Sequence, residues 1–97
     1  MRITFSTDAR RDRREVQAYY DGVSPKVRQA FARDLEAAIH YILEYPLGAP
    51  IRERDVRAKR LSRFPYTILY RVTARRTFVL AIASQLRDPE AYADRFK

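Results

Sequence analysis

Basic and aromatic side chains are the residues of this sequence whose types and spacing are suited to chemistry. Arg57 and Lys59 stand two residues apart, so a strand through them would point both to one face. A basic sheet face can hold phosphates and stabilise a pentavalent transition state by charge. Alternatively, such residues rim a sheet and protect its edges from pairing, and residue types alone favour this second interpretation. The full candidate set is Arg57, Lys59, Arg71, Arg87, Tyr66 and Tyr70.

Other kinds of catalytic site find little support. The sequence has no cysteine and a single histidine, which excludes a cysteine–histidine pair and leaves no histidine placed to activate a serine. His40 lies away from the apolar stripe of its predicted helix, and we expect it to be solvated. Only two glycines are present, so there is no glycine-rich phosphate loop, and the carboxylates show no paired spacing. We therefore expect no metal and no cofactor.

Length and charge define the class of protein. Ninety-seven residues predict one domain, residues 1–97. The formal net charge is +8, and seventeen of the twenty cationic side chains are arginine, which suits bidentate contact with phosphate or carboxylate. Acidic partners are expected, either nucleic acid or protein, although a solvated basic surface is the alternative. Without a membrane span or a signal sequence, the expected location is the cytoplasm, with no membrane partner.

Two helices must position the basic residues. The first is predicted from about Asp8 to Asp21, with Gly22 as its end. The second is predicted from Pro25 to Tyr45, because serine at the N-cap followed by proline suits a helix start. The expected buried stripes are Ala9, Val16, Tyr19, Tyr20 and Val23 in the first helix, and Val27, Phe31, Leu35, Ala38 and Ile42 in the second.

Strands are predicted at 2–5, 57–61, 66–72 and 78–83, because their side chains alternate or form short apolar runs. Residues 51–55 are predicted to be a polar loop, and residues 90–97 a tail with one helical turn. The order is βααβββ. The expected fold class is α+β, with a helical hairpin packed on one face of a small antiparallel sheet. Phe31, Leu35, Ile39 and Ile42 should pack on Ile68, Tyr70 and the last strand.

The last strand is apolar on both faces. Strict alternation would point Val79, Ala81 and Ala83 one way. Phe78, Leu80 and Ile82 would then point the other way. Because the helices cover only one face, one set should form a partner surface. The alternative is that the chain's own tail covers part of it, through Leu86, Tyr92 and Phe96.

Several short motifs together resemble the ParE/RelE toxin superfamily of type II toxin–antitoxin modules over essentially the whole length. They are Ala18-Tyr19-Tyr20, Glu44-Tyr45-Pro46, Arg63-Phe64-Pro65-Tyr66 with Ile68, Tyr70-Arg71-Val72, and Leu80-Ala81-Ile82-Ala83 continuing through Arg87-Asp88-Pro89 to Tyr92. The resemblance implies a helical hairpin on an antiparallel sheet, in agreement with the prediction above. It also implies a small acidic antitoxin as partner, and contact with operator DNA only through that antitoxin.

The superfamily has two branches with different activities. The RelE-like branch cleaves mRNA on the ribosome, and Arg57 and Lys59 resemble its basic pair. However, Thr67 stands where that branch usually has arginine, and Ser84 where it commonly has histidine. Threonine lacks the positive charge of arginine, and serine cannot act as a general acid near neutral pH as histidine can. Phe64-Pro65-Tyr66 resembles instead the ParE-like branch, whose founding members inhibit DNA gyrase, help to stabilise plasmids and are not enzymes.

Three functions therefore remain open on the sequence: a growth-inhibiting toxin that binds gyrase, which we favour, a ribosome-dependent endoribonuclease, and a degenerate member that only binds its antitoxin. If the chain cleaves RNA, the expected catalytic residues are Arg57, Lys59, Arg71 and Arg87. The residues expected to bind a target or antitoxin are Arg57, Lys59, Arg63, Leu80, Ile82, Arg87 and Tyr92.

Overall fold

A computed structural model describes residues 2–96 and shows two helices packed against a five-stranded sheet. The elements are β1 (Arg2–Phe5), α1 (Thr7–Val23), α2 (Pro25–Glu44), β2 (Ile51–Glu53), β3 (Val56–Arg60), β4 (Tyr66–Val72), β5 (Arg76–Ser84) and a 3₁₀ segment (Pro89–Phe96), which we call the C-terminal tail. The predicted α+β class is confirmed. Neither helix is long and apolar enough to cross a membrane, as far as the described residues show.

The sheet has the strand order β1-β5-β4-β3-β2. Its pairs are antiparallel except for β1 and β5, which run parallel from Arg2↔Arg76 to Phe5↔Val79. The sheet is therefore mixed, because the two helices carry the chain from β1 back to the opposite edge. The loop predicted at residues 51–55 is also wrong in part. Residues 51–53 form β2, whose three side chains are all exposed and thus show no burial pattern.

Two serines define the helix starts. Ser6 Oγ accepts a hydrogen bond from Ala9 N, and Ser24 Oγ accepts one from Val27 N. Ser24 N also donates to Tyr20 O at the end of α1, so one residue ends one helix and begins the next. The prediction of Ser24-Pro25 as a helix start is confirmed. The predicted stop at Gly22 is wrong by one residue, since α1 continues to Val23.

The face of the sheet toward the helices, which we call the helix face, contains the main core. Phe31, Leu35 and Ile42 are fully buried against Ile68 and Tyr70, as predicted. Aromatic rings of Tyr20, Phe31, Phe64 and Tyr66 pack edge to face at centroid distances of 5.0–6.2 Å. Tyr19 and Val23 do not join the buried stripe of α1, because 66% and 60% of their surfaces are exposed.

A bulge in β5 overturns the strict alternation predicted for residues 78–83. Leu69 pairs with Ala81, whereas Tyr70 pairs with Val79, so Leu80 is the extra residue. Val79 and Ile82 consequently share the helix face, although they are three positions apart in the sequence. Ala81 and Ala83 lie on the opposite face. Ile82 is 2% exposed in the main core and is shielded from any partner.

The opposite face, which we call the tail face, is half covered by the C-terminal tail. Tyr92 and Phe96 are buried there against Val56, Leu69 and Ala81. The alternative that the tail covers this surface is thus confirmed for these two aromatic residues. The prediction is wrong for Leu86, which remains 86% exposed. The part of the tail face that the tail leaves uncovered forms the candidate site.

Candidate functional site

An open depression of about 430 Å³, which we call the basic groove, occupies the uncovered half of the tail face. Its floor includes Ala58, Thr67 and Ala83, which lie on the adjacent strands β3, β4 and β5. Because these side chains are small, they leave space that larger residues would fill. The ring of Tyr92 forms the border with the covered half.

Three arginines from separate segments line the basic groove: Arg52 in β2, Arg60 at the end of β3 and Arg87 after β5. Arg60 Nη2 donates to Gln85 Oε1 at 3.1 Å, and the Arg87 guanidinium lies 5.3 Å from the Tyr92 ring centroid. Within residues 2–96, none of the three has a carboxylate within ion-pairing distance. No carboxylate lines the groove either, so its field favours anions.

Polar side chains hold the end of the groove in place. Gln85 Nε2 donates to Tyr66 O at 3.1 Å and to Thr67 Oγ1 at 3.4 Å, which fixes the amide that orients Arg60. Ser84 N donates to the Tyr92 hydroxyl at 3.0 Å. The lining contains no histidine or carboxylate that could accept a proton near neutral pH, and arginine stays protonated. The arginines of the lining therefore make the groove suited to binding anions.

Arg57 and Lys59 share a face, as predicted, but it is the helix face. They pair in register with Tyr70 and Ile68. Arg57 Nη1 donates to Leu47 O at 3.1 Å and Ala49 O at 2.7 Å, and Lys59 Nζ lies 4.4 Å from the Tyr41 ring centroid. Internal contacts thus occupy both cations.

Arg71 lies on the tail face but is also engaged. Its Nε donates to both Asp55 carboxylate oxygens at 2.9 Å, and its Nη2 donates to Phe96 O at 2.8 Å. The hydrogen bond from Arg71 holds the pKa of the Asp55 carboxyl below its ordinary value. Arg71 therefore links the β2–β3 turn to the tail.

The predicted residues consequently do not converge on one site. Of the conditional catalytic set, Arg87 alone lines the basic groove, accompanied by Tyr92 from the predicted binding set. Arg63 is exposed in the β3–β4 loop, beside a separate depression that includes Lys26 and Arg33. Leu80 is half-buried and packs against the buried cluster that contains Tyr92 and Phe96. The binding roles of these residues stay predictions.

Sequence reasoning missed Arg52, Arg60 and Gln85. The alternation of β3 places residues 58 and 60 on the tail face and residues 57 and 59 on the helix face. Because side chains alternate along a strand, residues one position apart point to opposite faces of the sheet. The signal that could have found the groove was the pair Thr67 and Ser84, which the family resemblance had singled out and which both line it.

A second network fastens the tail beside the groove. β1 pairs with β5 only as far as Val79, so among residues 2–96 Ile82 of β5 has no strand neighbour on that side. Ile82 N donates instead to Asp12 Oδ2 of α1 at 3.0 Å, and Arg95 of the tail donates to both oxygens of Asp12 at 2.7 and 3.2 Å. The hydrogen bond to Asp12 raises the pKa of the Arg95 guanidinium. Side chains thus replace a neighbouring strand along this part of β5 and keep the tail against the sheet.

A family model described as the ParE toxin of type II toxin–antitoxin system, parDE, matches residues 3–89. The chain belongs to the ParE toxin family. This membership supports a toxin role. No curated protein matches the sequence.

A solved structure agrees with the family at the level of the fold. It is the chromosomal ParDE TA system from P. aeruginosa, with a TM-score of 0.72 and 19% sequence identity. The match covers 87% of this chain and 95% of the other. The two proteins therefore share the fold of helices and sheet.

Proposed function

We propose that the protein is the toxin of a type II toxin–antitoxin pair and inhibits growth by binding DNA gyrase, without catalysing a reaction. The observation that carries the proposal is the composition of the basic groove, in which arginines accompany Thr67 and Ser84 but no histidine or carboxylate. RNA cleavage by the 2′-hydroxyl needs a group that accepts a proton and one that donates it. Membership of the ParE toxin family adds independent support.

Tyr92 is the one phenol in the groove lining, and its environment argues against a proton-transfer role. Its side chain is buried against Ala81 and Ala83, with 5% of the residue exposed. Its hydroxyl already accepts a hydrogen bond from Ser84 N. An acid or base must instead reach the reacting oxygen directly or through one water. Tyr92 is placed to anchor the tail.

We further propose that a small acidic antitoxin neutralises the toxin. The net charge of +8 and the unpaired arginines of the groove favour an acidic partner. Exposed apolar side chains near the β2 edge, including Leu47 and Ile51, offer anchors that arginines alone do not provide. Charge would then increase the association rate, and apolar contacts would dominate the affinity.

The target is tested by inducing the protein in bacteria without its antitoxin and following DNA and protein synthesis separately. We expect DNA synthesis to fall first, with a DNA-damage response, and purified gyrase to lose supercoiling activity when the protein is added. Early arrest of translation with cut transcripts would instead establish the endoribonuclease. Normal growth at verified expression would establish the degenerate, antitoxin-binding function.

A further inference from the structure

We propose that the basic groove binds a single strand of nucleic acid, with phosphates on its arginines and an unpaired base on its floor. This inference does not rest on gyrase as the target. It starts from the location of Arg52, Arg60 and Arg87, which three separate chain segments bring to one depression. The planar guanidinium fork matches phosphate oxygens, and no carboxylate in the lining competes with them.

The size and floor of the groove favour one nucleotide at a time. A volume of about 430 Å³ falls within the range of small-ligand sites. Ala58 of β3 and Ala83 of β5 lie on either side of Thr67 in β4, and these three small side chains leave room in which a planar ring can lie. The bases of a duplex are stacked inside it and cannot reach such a floor, whereas bases of a single strand can be splayed onto a protein surface.

Groups that can pair with a base edge lie in this floor and beside it. The hydroxyls of Thr67 and Ser84 line the groove and can each donate a hydrogen bond. Arg60 donates to Gln85 Oε1, and Gln85 in turn donates to Thr67 Oγ1, which directs the Arg60 guanidinium toward this end of the groove. A floor of small side chains with two hydroxyls fits a base better than it fits the branched side chains of a peptide.

A smaller depression of about 180 Å³ continues the path past Ser84, Arg87 and Tyr92. Its walls include Tyr66 and the exposed ring of Tyr19, which can stack on a second base. Glu15 and Asp12 also line it, and Asp12 is neutralised by Arg95. We therefore place phosphates over the basic groove and only a base in this smaller depression.

The test is fluorescence anisotropy with a labelled mixed-sequence 12-nucleotide DNA strand. An RNA strand of the same sequence shows whether the groove prefers DNA or RNA. The corresponding DNA duplex and a polyglutamate peptide are tested as alternative ligands. The groove variant is Arg60→Gln with Arg87→Gln. Its matched control is Arg10→Gln with Arg14→Gln, which removes the same charge from exposed positions of α1.

We expect the groove variant to bind the strand at least about tenfold more weakly, and the control to change by less than about threefold. Each lost phosphate contact should make the slope of log K for binding against the logarithm of the salt concentration shallower by about 0.7. The two lost arginines should therefore reduce it by about 1.4. A third variant, Ala58→Phe, fills the floor without changing the charge. Once circular dichroism shows that it is folded, it should also weaken binding about tenfold.

Three results would overturn the proposal. Equal losses in the groove variant and its control would show attraction by net charge alone. Duplex binding as tight as strand binding would exclude a role for unpaired bases. Tight binding of polyglutamate without binding of either strand would assign the groove to an acidic peptide. Each of these results is independent of the gyrase assay, so failure of one proposal leaves the other to be judged separately.

Discussion

The two faces of the sheet differ in the size of their side chains and in how their cations are engaged. On the helix face, large apolar residues such as Phe31 and Ile68 are fully buried, and the cations Arg57 and Lys59 are tied to neighbouring groups. On the open half of the tail face, the floor is small, and the arginines have no carboxylate partner among residues 2–96. The difference separates a face that provides stability from one that remains available for binding.

The largest expected effect is on the helix face. Phe31→Ala removes a fully buried ring that contacts Tyr20, Phe64 and Tyr66. We expect the free energy of unfolding to fall by about 3–5 kcal/mol, measured by chemical denaturation. A loss below about 1 kcal/mol would show that α2 does not form the stabilising contact with the sheet.

A smaller effect is expected where α2 holds the β3–β4 loop. The buried carboxylate of Asp34 accepts hydrogen bonds from Ser62 N at 3.2 Å, and from Arg63 N and Phe64 N at 2.9 Å. Asp34→Asn replaces one carboxylate oxygen with an NH₂ group, which then faces a backbone N–H instead of accepting from it. The free energy of unfolding should therefore fall by about 1.5–3 kcal/mol. Asp21→Asn, at an exposed position, is the control and should change it little. Equal losses would contradict this assignment.

The smallest expected effect lies on the tail face and depends on pH. Hydrogen bonding to Arg71 lowers the pKa of Asp55 in the folded state, so this pair stabilises the fold above the ordinary carboxyl pKa of about 4. That contribution is lost as the pH falls through the lower folded-state pKa. Asp55→Asn should remove this part of the acid dependence in thermal melts. An unchanged pH profile in the variant would show that the pair is not stabilising.

The sequence predicted the helices and main strands well, because their signals are local. Ser24-Pro25 begins α2, and alternation identifies residues 66–72 as β4. The parallel pairing of the four-residue β1 and the exposed strand β2 left no such signal. The bulge at Leu80 changes the side-chain direction within β5, which a period of two cannot predict.

The candidate site was harder to predict because it depends on register. Arg57 and Lys59 match the spacing of a basic pair, yet their pairing with Tyr70 and Ile68 turns them toward the helices. Arg52, Arg60 and Arg87 come from separate segments and meet only after four strands, β2 to β5, have paired. Family resemblance pointed to Thr67, Ser84 and Arg87, but not to Arg52 or Arg60.

The central claim is that function resides on the open tail face rather than at Arg57 and Lys59. The direct measurement is colony formation after induction for two variants that each remove two positive charges, with equal expression and thermal stability verified. Arg60→Gln with Arg87→Gln should abolish toxicity, while Arg57→Gln with Lys59→Gln should retain it. Full toxicity of the first variant, together with loss of toxicity in a folded second variant, would contradict the claim.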